Sequence, residues 1–324
     1  MDMHNAMKLL SAFAAALALA ATAHAAPFAD PLDVPAMASP LAQRAPVNGL
    51  ARAGQRLVAV GQRGHILTSD DGGRQWRQAA VPVSVDLTAV TFAGAQQGWA
   101  VGHDGVILHS ADGGATWQRQ TDGRAAGGKT DDRPLLAVWF ADARNGMAVG
   151  AFGLARCTSD GGAHWVACEE QLDNPQGMHL NAIAAVGDAV YIAGEQGTLL
   201  KRGAGAARFA PLTVPYRGSL FGVTGQDNYL LAFGLRGNAF VSKDGGANWQ
   251  QAETGVRSGL AAGLVLPDGS ALLVSQAGQL LRSAGGLAFQ PVKGAHMDPA
   301  TALLAVAPGT VLVGGVRGLR LETQ

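Results

Sequence analysis

The sequence lacks the features that mark several large classes of protein. Only 6% of its 324 residues are aromatic, two are cysteine, and 24 basic side chains balance 24 acidic ones. This balance argues against a dedicated nucleic-acid-binding protein, which carries a basic excess. After the first 25 residues no segment keeps a 3.6-residue apolar period for three turns, so we expect almost no helix. Glycine is abundant instead: 45 glycines in a chain that is 48% hydrophobic indicate short strands joined by many turns.

The N-terminus has the layout of a secretory signal peptide. Lys8 precedes an apolar run from Leu9 to Ala21, and Ala23-His24-Ala25 forms a small-x-small cleavage sequence. The run is shorter than the roughly 20 residues that cross a bilayer as a helix. We therefore expect residues 1–25 to be a signal peptide and the mature protein to be secreted across the inner membrane into the periplasm, itself soluble. The alternative is that this segment is retained as an anchor.

The rest of the chain is one unit repeated seven times. Each copy has a Gly-x-x-Gly turn, with serine replacing the first glycine in the sixth copy, and the second glycines lie 40 to 48 residues apart at Gly64, Gly105, Gly153, Gly197, Gly237, Gly278 and Gly318. Twelve residues later, or eleven in the sixth copy, six copies have an aromatic residue, namely Trp76, Trp117, Trp165, Phe209, Trp249 and Phe289. This period predicts an all-β, seven-bladed β-propeller of four-stranded blades over residues 50–324.

The strand pattern is clear in the second copy and incomplete in the seventh. The second copy predicts four strands, Leu87–Phe92, Trp99–Gly102, Val106–Ser110 and Thr116–Gln120. The seventh copy supplies only Thr301–Val306, Val311–Gly314 and Leu319–Thr323. Because a closed ring has no exposed edge, we predict that the N-terminal segment, residues 26–49, closes the ring by pairing Phe28–Pro40 as the missing strand. The alternative is a disordered leader.

Four copies carry an Asp box, Ser/Thr-x-Asp-x-Gly-x-x-Trp, between the third and fourth strands. The Ser, Thr and Asp side chains accept turn amide protons, glycine permits positive φ, and tryptophan buries a large surface. An EF-hand calcium loop has a different spacing and a closing glutamate. The sequence therefore predicts a structural role for the box residues Asp71 and Trp76, Asp112 and Trp117, Asp160 and Trp165, and Asp244 and Trp249.

The two cysteines, Cys157 and Cys168, flank the box of the third copy on adjacent predicted strands. In an exported protein such a pair is expected to be oxidised. A redox-active pair favours a Cys-x-x-Cys spacing or a basic neighbour at a helix start, and neither is present. We expect a structural disulfide.

Tandem Gly-x-x-Gly turns, Asp boxes and tryptophans behind a signal peptide resemble the photosystem II stability/assembly factor family, whose boxes are of the bacterial-neuraminidase type. The resemblance covers residues 50–324 and implies a non-enzymatic propeller that holds a newly made membrane-protein subunit, partly through an arginine-rich patch. Relatives in non-photosynthetic bacteria are exported, some encoded beside resistance-nodulation-division (RND) type exporters. The resemblance therefore implies an assembly or stability scaffold, or an exporter accessory, whose partner is an integral membrane protein or complex. We expect a monomer without a cofactor.

The family's arginine position is retained in copies one, five and seven at Arg63, Arg236 and Arg317, and is replaced elsewhere by Asp104, Phe152, Gln196 and Ala277. In a propeller these turns share a face with the connections between blades, which add further arginine and aromatic residues. Such a composition is typical of protein-binding surfaces. The candidate partner-binding residues are Arg63, Arg236, Arg317, Arg133, Arg217, Arg257, His103 and Phe152, and the same connections contain Arg124, Lys129, Met178, His179, Tyr216, His296 and Met297.

Two other functions remain open, a sialidase-like glycoside hydrolase and a soluble ligand-binding propeller. Sialidase chemistry needs a tyrosine nucleophile beside a glutamate and three arginines around a carboxylate. This chain has three tyrosines and five glutamates without a paired-carboxylate arrangement. His103, Asp104 and His109 are the densest group of metal-binding types, but a zinc site needs a fourth ligand. We therefore predict no catalytic residue and no metal.

Overall fold

The computed structural model describes residues 29–124, 131–295 and 298–323. These residues form seven antiparallel sheets, six with four strands and one with three. The chain is a seven-bladed β-propeller, as the repeat predicts. Residues 1–25, the expected signal peptide, lie outside the described residues.

The strands follow one another in the same order in every blade. Blades one and two consist of β1 (Val47–Ala53), β2 (Arg56–Gly61), β3 (Ile66–Ser69), β4 (Arg77–Gln78), β5 (Leu87–Ala93), β6 (Gln97–Gly102), β7 (Ile107–Ser110) and β8 (Gln118–Thr121). Blades three and four consist of β9 (Leu135–Phe140), β10 (Gly146–Gly150), β11 (Ala155–Thr158), β12 (Val166–Ala167), β13 (Leu180–Val186), β14 (Ala189–Gly194), β15 (Leu199–Arg202) and β16 (Ala210–Pro211). Blades five to seven consist of β17 (Leu220–Gln226), β18 (Tyr229–Gly234), β19 (Ala239–Ser242), β20 (Gln250–Ala252), β21 (Leu260–Val265), β22 (Ala271–Ser275), β23 (Leu280–Ser283), β24 (Gln290–Pro291), β25 (Ala300–Ala307), β26 (Thr310–Gly315) and β27 (Gly318–Thr323).

The core lies between neighbouring blades. The second strand of each blade is buried on both faces, so its residues are apolar without alternation, and small ones such as Ala100 and Ala193 are fully buried there. Larger side chains fill the space between blades, as where the Trp99 ring stacks on Phe140 with ring centroids 3.4 Å apart. Blade packing therefore supplies most of the buried apolar surface.

Helix is confined to single turns in the described ranges. Seven three-residue 3-10 turns occur, at Ala42–Arg44, Gln62–Gly64, His103–Gly105, Ala151–Gly153, Glu169–Gln171, Glu195–Gly197 and Leu235–Gly237. No helix in these ranges is long and apolar enough to cross a membrane.

The ring does not show the predicted closing strand. β1 packs beside β25, Thr301 Oγ1 donates to Val47 O, and the Arg52 guanidinium donates to Ala305 O and Val306 O at 2.8 Å each. Side-chain and backbone contacts between blades one and seven thus join the ends of the ring.

Residues 31–40 lie elsewhere, along the connection between blades one and two. Ala36 N donates to Val81 O at 3.0 Å, and Ser84 N donates to Pro31 O at 2.8 Å. The described part of the N-terminal segment contains no strand before β1. Its prolines explain the difference, because each removes a donor that a ladder needs and fixes φ.

The Asp boxes form the local hydrogen bonds that their residue types suggest. In blade two, Gly114 N donates to Ser110 Oγ at 2.8 Å, Thr116 N donates to Asp112 Oδ1 at 2.9 Å, and Trp117 Nε1 donates to Gly114 O at 3.0 Å. The third blade departs from this pattern, because Trp165 Nε1 donates to Gln120 Oε1 at 3.1 Å instead.

Cys157 and Cys168 are joined by a disulfide bond across this third box, with their Cα atoms 5.9 Å apart. Both residues flank the hairpin at the outer end of blade three, and Cys168 is buried.

Candidate functional site

The Gly-x-x-Gly turns and the blade connections form one face, which we call the turn face. In every blade, the residue that follows the first glycine of the turn (Ser275 in blade six) donates its backbone N–H to the carbonyl of the residue just before the first strand. In blade five, Leu235 N donates to Ser219 O at 2.9 Å. The second glycine lies directly beneath the next connection. A Cβ on Gly237 would stand 2.0 Å from Val256 O, so only glycine fits.

Five of the turns hold a non-glycine residue in the left-handed region. Its φ lies between 52° and 58° in each case, at Arg63, Asp104, Phe152, Gln196 and Arg236. That conformation costs about 1–2 kcal/mol for an L-residue. The backbone bonds of the turn therefore impose the conformation, and the side chain is left to point away from the blade; all but Asp104 are exposed.

One group of arginines lies where blades seven and one meet. Arg44 and Arg63 line a cavity of about 500 Å³, and Arg44 and Arg317 line a second one of about 590 Å³. Leu41 and Val316 line the same cavities and are exposed. We call Arg44, Arg63, Arg317, Leu41 and Val316 the seam surface.

The N-terminal segment builds this surface because it replaces a blade connection. Gln43 O and Arg44 Cα lie over Gly318, as Val83 lies over Gly64 and Val256 lies over Gly237. The segment thus enters blade one as the other connections enter their blades, although it adds no strand to blade seven.

A second group surrounds the turn of blade five. Tyr216 O–H donates to Leu235 O at 3.0 Å and ties the preceding connection to this turn. Arg217 follows Tyr216, Arg236 follows Leu235, and Arg257 lies in the next connection; all three arginines are exposed. Burial raises the pKa of the Tyr216 hydroxyl, while Asn238 and Arg236 oppose the shift, so it stays protonated as a donor at neutral pH. We call Tyr216, Arg217, Leu235, Arg236 and Arg257 the blade-five surface.

Arg44, Arg217 and Arg257 occupy the same position in the repeat. Each lies two residues before the carbonyl that receives the turn N–H, that of Pro46, Ser219 or Gly259. Blades one and five therefore carry arginine at two matched positions, Arg44 with Arg63 and Arg217 with Arg236. Arg44 was not among the predicted binding residues because residues 26–49 were assigned to ring closure, with Phe28–Pro40 as the strand, and not to a blade connection. Counting back three residues from the start of each first strand would have found it.

Ion pairing separates these arginines from the others. Within residues 29–124, 131–295 and 298–323, no carboxylate forms an ion pair with Arg44, Arg63, Arg217, Arg236 or Arg257. Arg317 is 78% exposed but contacts Asp298 at 3.2 Å. The matched arginine pairs therefore present guanidinium groups that have no ion-pair partner in the described ranges.

Phe152 and Arg133 form a third and different surface. The Phe152 side chain is 62% exposed and meets the His179 ring edge to face, with centroids 4.4 Å apart. Arg133 donates to Phe152 O at 3.3 Å and pairs with Asp131 at 2.7 Å. Asp131 also contacts Arg156 at 2.6 Å. The two guanidiniums hold the pKa of Asp131 below its usual range, and the hydrogen bond from Arg133 has the larger effect. The charge of Arg133 is thus neutralised.

The remaining sequence candidates do not join these surfaces. His103 is exposed on the turn of blade two, whereas His109 lies on β7, where its Nε2 is 2.9 Å from Gln97 Oε1. In the part of the chain that the structure describes, no three His, Cys, Asp or Glu side chains are grouped to hold a metal ion. Arg124 is paired with Asp33 and Asp122. Lys129, His296 and Met297 lie outside the described residues. The candidates therefore form three separate surfaces and not one continuous arginine ring.

Comparison with protein families supports the resemblance predicted from the sequence. The family described as photosynthesis system II assembly factor YCF48 matches residues 53–129. A comparison with curated protein sequences finds no match.

Solved structures extend the likeness to the whole propeller. YCF48 bound to D1 peptide is 18% identical with a TM-score of 0.69, over 90% of this chain and 99% of that one. YCF48 from Cyanidioschyzon merolae is 17% identical with a TM-score of 0.71, over 88% and 97%. The GH74 xyloglucanase from Xanthomonas campestris is 16% identical with a TM-score of 0.65, over 87% of this chain and 52% of that one. At these identities the likeness shows the fold.

Proposed function

We propose that this protein is an exported, non-enzymatic scaffold that binds a membrane-protein partner through its turn face. It acts as an assembly or stability factor, or as an accessory to an RND-type exporter. The observation that carries the proposal is that blades one and five each have a matched pair of arginines. These arginines are exposed and have no ion pair in the described ranges.

The chemistry of these surfaces suits a peptide segment that carries carboxylates. Arginine binds a carboxylate with two parallel N–H donors. Each arginine pair has exposed apolar side chains beside it, Leu41 and Val316 on the seam surface and Leu235 on the blade-five surface. Arginine with apolar neighbours is the usual composition of a binding hot spot. The structural likeness to YCF48 bound to D1 peptide supports a peptide as the ligand.

Several carboxylates of the described residues are engaged in structural contacts, which favours binding over hydrolysis. Box aspartates such as Asp112 and Asp244 accept hydrogen bonds within their own turns. Asp131, Glu169 and Glu322 are paired with arginines. A general acid or base must be able to exchange its proton with substrate, and these groups are engaged elsewhere.

The proposal is tested by crosslinking in the native envelope, followed by affinity capture and mass spectrometry. We expect one integral membrane complex to be enriched with the wild-type protein. The double variants Arg44→Glu/Arg63→Glu and Arg217→Glu/Arg236→Glu should each lose most of that enrichment. Arg77→Glu/Arg208→Glu is the matched control, because it makes the same charge change at exposed arginines in or next to the fourth strands of blades one and four.

Unchanged enrichment in both turn-face variants would contradict the assignment of the turn-face arginines as the binding site. Enrichment of no membrane protein, together with hydrolysis in a glycan screen, would favour the glycoside hydrolase. For export, N-terminal sequencing of protein from the periplasmic fraction should begin at Ala26, and an intact N-terminus in the membrane fraction would indicate a retained anchor.

A further inference from the structure

The seventh blade differs from the other six at its outer edge. In blades one to six the third strand is four residues long and is covered by a fourth strand of two to four residues. β27 is six residues long, and among the described residues no fourth strand pairs with it. Natural proteins keep edge strands short because a long edge is a template for another strand. β27 is therefore longer than the outer strand of every other blade.

A cavity of about 530 Å³ lies beside this blade, on the face opposite the turn face. Most of its walls come from the first hairpin turns of blades six and seven and include Leu266, Pro267, Val306 and Pro308; the charged lining residues are Arg52 of blade one, Asp268 and Arg282. The lining is mainly apolar, unlike that of an ordinary loop surface.

The repeat shows which residues fill the equivalent position between other blades. Between blades one and two, Gly113, which precedes the box glycine of blade two, packs against Ala53 and Ala95, and its N–H donates to Gln96 O at 2.9 Å. Counted from the Gly-x-x-Gly turns, Ala53 corresponds to Pro267 and Ala95 to Pro308. The cavity thus occupies the place where a box hairpin of the following blade packs against its neighbour.

Arg282 matches a donor that holds such a hairpin. In blade four, Lys201 is the fourth residue after the second turn glycine, and its Nζ donates to Gly245 O of the next box at 2.8 Å. Arg56 reaches Gly113 O in the same way at 3.2 Å. Arg282 is also the fourth residue after its turn glycine, Gly278, and its contact with Asp268 is 3.3 Å long.

We propose that an extended segment of a partner polypeptide completes the seventh blade. The segment pairs with the edge of β27 and places a tight turn and an aromatic side chain in the cavity, with a turn carbonyl accepting from Arg282. The six other blades define this chemistry, because each covers its third strand with such a segment and has an aromatic residue directly before its fourth strand. Strand addition supplies backbone hydrogen bonds and the aromatic anchor supplies apolar burial.

The edge itself has an apolar character that suits this role. Leu321 on β27 is 38% exposed, and its side chain lies beside Gly73 of the box of blade one. An added strand would cover Leu321 from the outside. This surface is separate from the turn face, so the inference does not depend on the proposed function.

The test uses a synthetic peptide of residues 242–252, which is this protein's own box and fourth strand from blade five. Binding to the full protein is measured by fluorescence anisotropy, and hydrogen exchange reports the amides of β27. We expect saturable binding with slower exchange in β27. A peptide with alanine in place of Trp249 should bind at least tenfold more weakly.

Protein variants locate the site. Arg282→Gln and Leu321→Lys should each weaken peptide binding at least tenfold. The matched controls are Arg208→Gln, an exposed arginine elsewhere, and Leu235→Lys, whose leucine is equally exposed at 38% but lies on the turn face. Both controls should bind as the wild type does, and thermal unfolding checks that all four variants are folded.

Three results would overturn the inference. They are no binding of the box peptide at millimolar concentration, equal binding of the peptide without tryptophan, and binding that Leu321→Lys leaves unchanged. Self-association that Leu321→Lys abolishes would assign the edge to a second copy of this chain instead. The turn-face variants Arg44→Glu/Arg63→Glu should retain peptide binding, so the failure of either proposal is visible separately.

Discussion

The box hairpins and the Gly-x-x-Gly turns are both repeated around the ring, but they use their side chains in opposite ways. In a box, the hydroxyl, carboxylate and indole groups are engaged in hydrogen bonds within the hairpin, as Ser110, Asp112 and Trp117 are. In a turn the backbone makes the structural bonds, and the side chains of Arg63 and Arg236 are exposed. Side chains that support the fold cannot vary freely, whereas those of the turns can, and it is there that we propose the binding residues lie.

Among the changes considered, removing a box tryptophan should lower the free energy of unfolding the most. Trp117 is 4% exposed and meets the Phe92 ring edge to face, with centroids 6.0 Å apart. Trp117→Ala should lower the free energy of unfolding by about 3–5 kcal/mol. Phe152→Ala, at an exposed turn position, should change it by less than about 0.5 kcal/mol. Urea unfolding of both variants measures the difference, and similar losses would contradict the division between the two regions.

Opening the disulfide should have the next largest effect. The bond joins residues 11 apart across the third box. Cys157→Ser/Cys168→Ser should cost roughly 2–3 kcal/mol by the loop-entropy model. Urea unfolding with and without reductant checks this, since reductant should destabilise the wild type and leave the double variant unchanged. A wild type insensitive to reductant would mean that the bond is absent or adds nothing.

Acid should weaken the Asp boxes. Hydrogen bonds from the Asn248 backbone and side chain, and from Ser242, lower the pKa of Asp244 to about 2 from its ordinary value of 3.8. A carboxyl whose pKa is lower in the folded state stabilises the fold above its unfolded pKa and loses that contribution as pH falls. The melting temperature of the wild type should therefore fall between about pH 4 and pH 2. Asp244→Asn should have a lower melting temperature at pH 7 and a shallower fall in this window, and parallel curves would contradict the assignment.

A substitution at the turn of blade five should have a small effect of the opposite sign and stabilise the fold. Arg236 adopts φ = 58°, which glycine tolerates without strain. Arg236→Gly should raise the free energy of unfolding by up to about 1 kcal/mol while weakening capture of the partner. Urea unfolding and the crosslinking assay are run on the same variant. A loss of stability would show that the Arg236 side chain supports the fold, and normal capture would remove Arg236 from the binding surface.

Much of the fold could be predicted from the sequence because the repeat is local. The predicted Leu319–Thr323 strand, for example, is observed as Gly318–Thr323, since its residues are set by the turn before it. The N-terminal segment could not be placed in this way. It contains no copy of the repeat, and its position over Gly318 and along Val81 depends on which surfaces the folded ring leaves uncovered.

The sequence is also insufficient to predict which single arginines of the candidate site are free of ion pairs. Arg133 and Arg217 are equivalent candidates in the sequence, but Asp131 neutralises the first and no described carboxylate pairs with the second. Whether an acidic side chain reaches an arginine depends on the path of a connection, which local patterns do not specify.

The sequence by itself determined seven blades, the boxes with their tryptophans and the turns that carry Arg63, Arg236 and Arg317, because hydrogen bonds within a few residues and a constant period define them. Only the tertiary structure decided that Arg44 joins Arg63 and Arg317 at the seam, that the arginines form separate surfaces, and that β27 is left as a long edge beside an apolar cavity. These features depend on where the first and last blades of a ring meet, and residues far apart in the chain come together there only when the ring has formed.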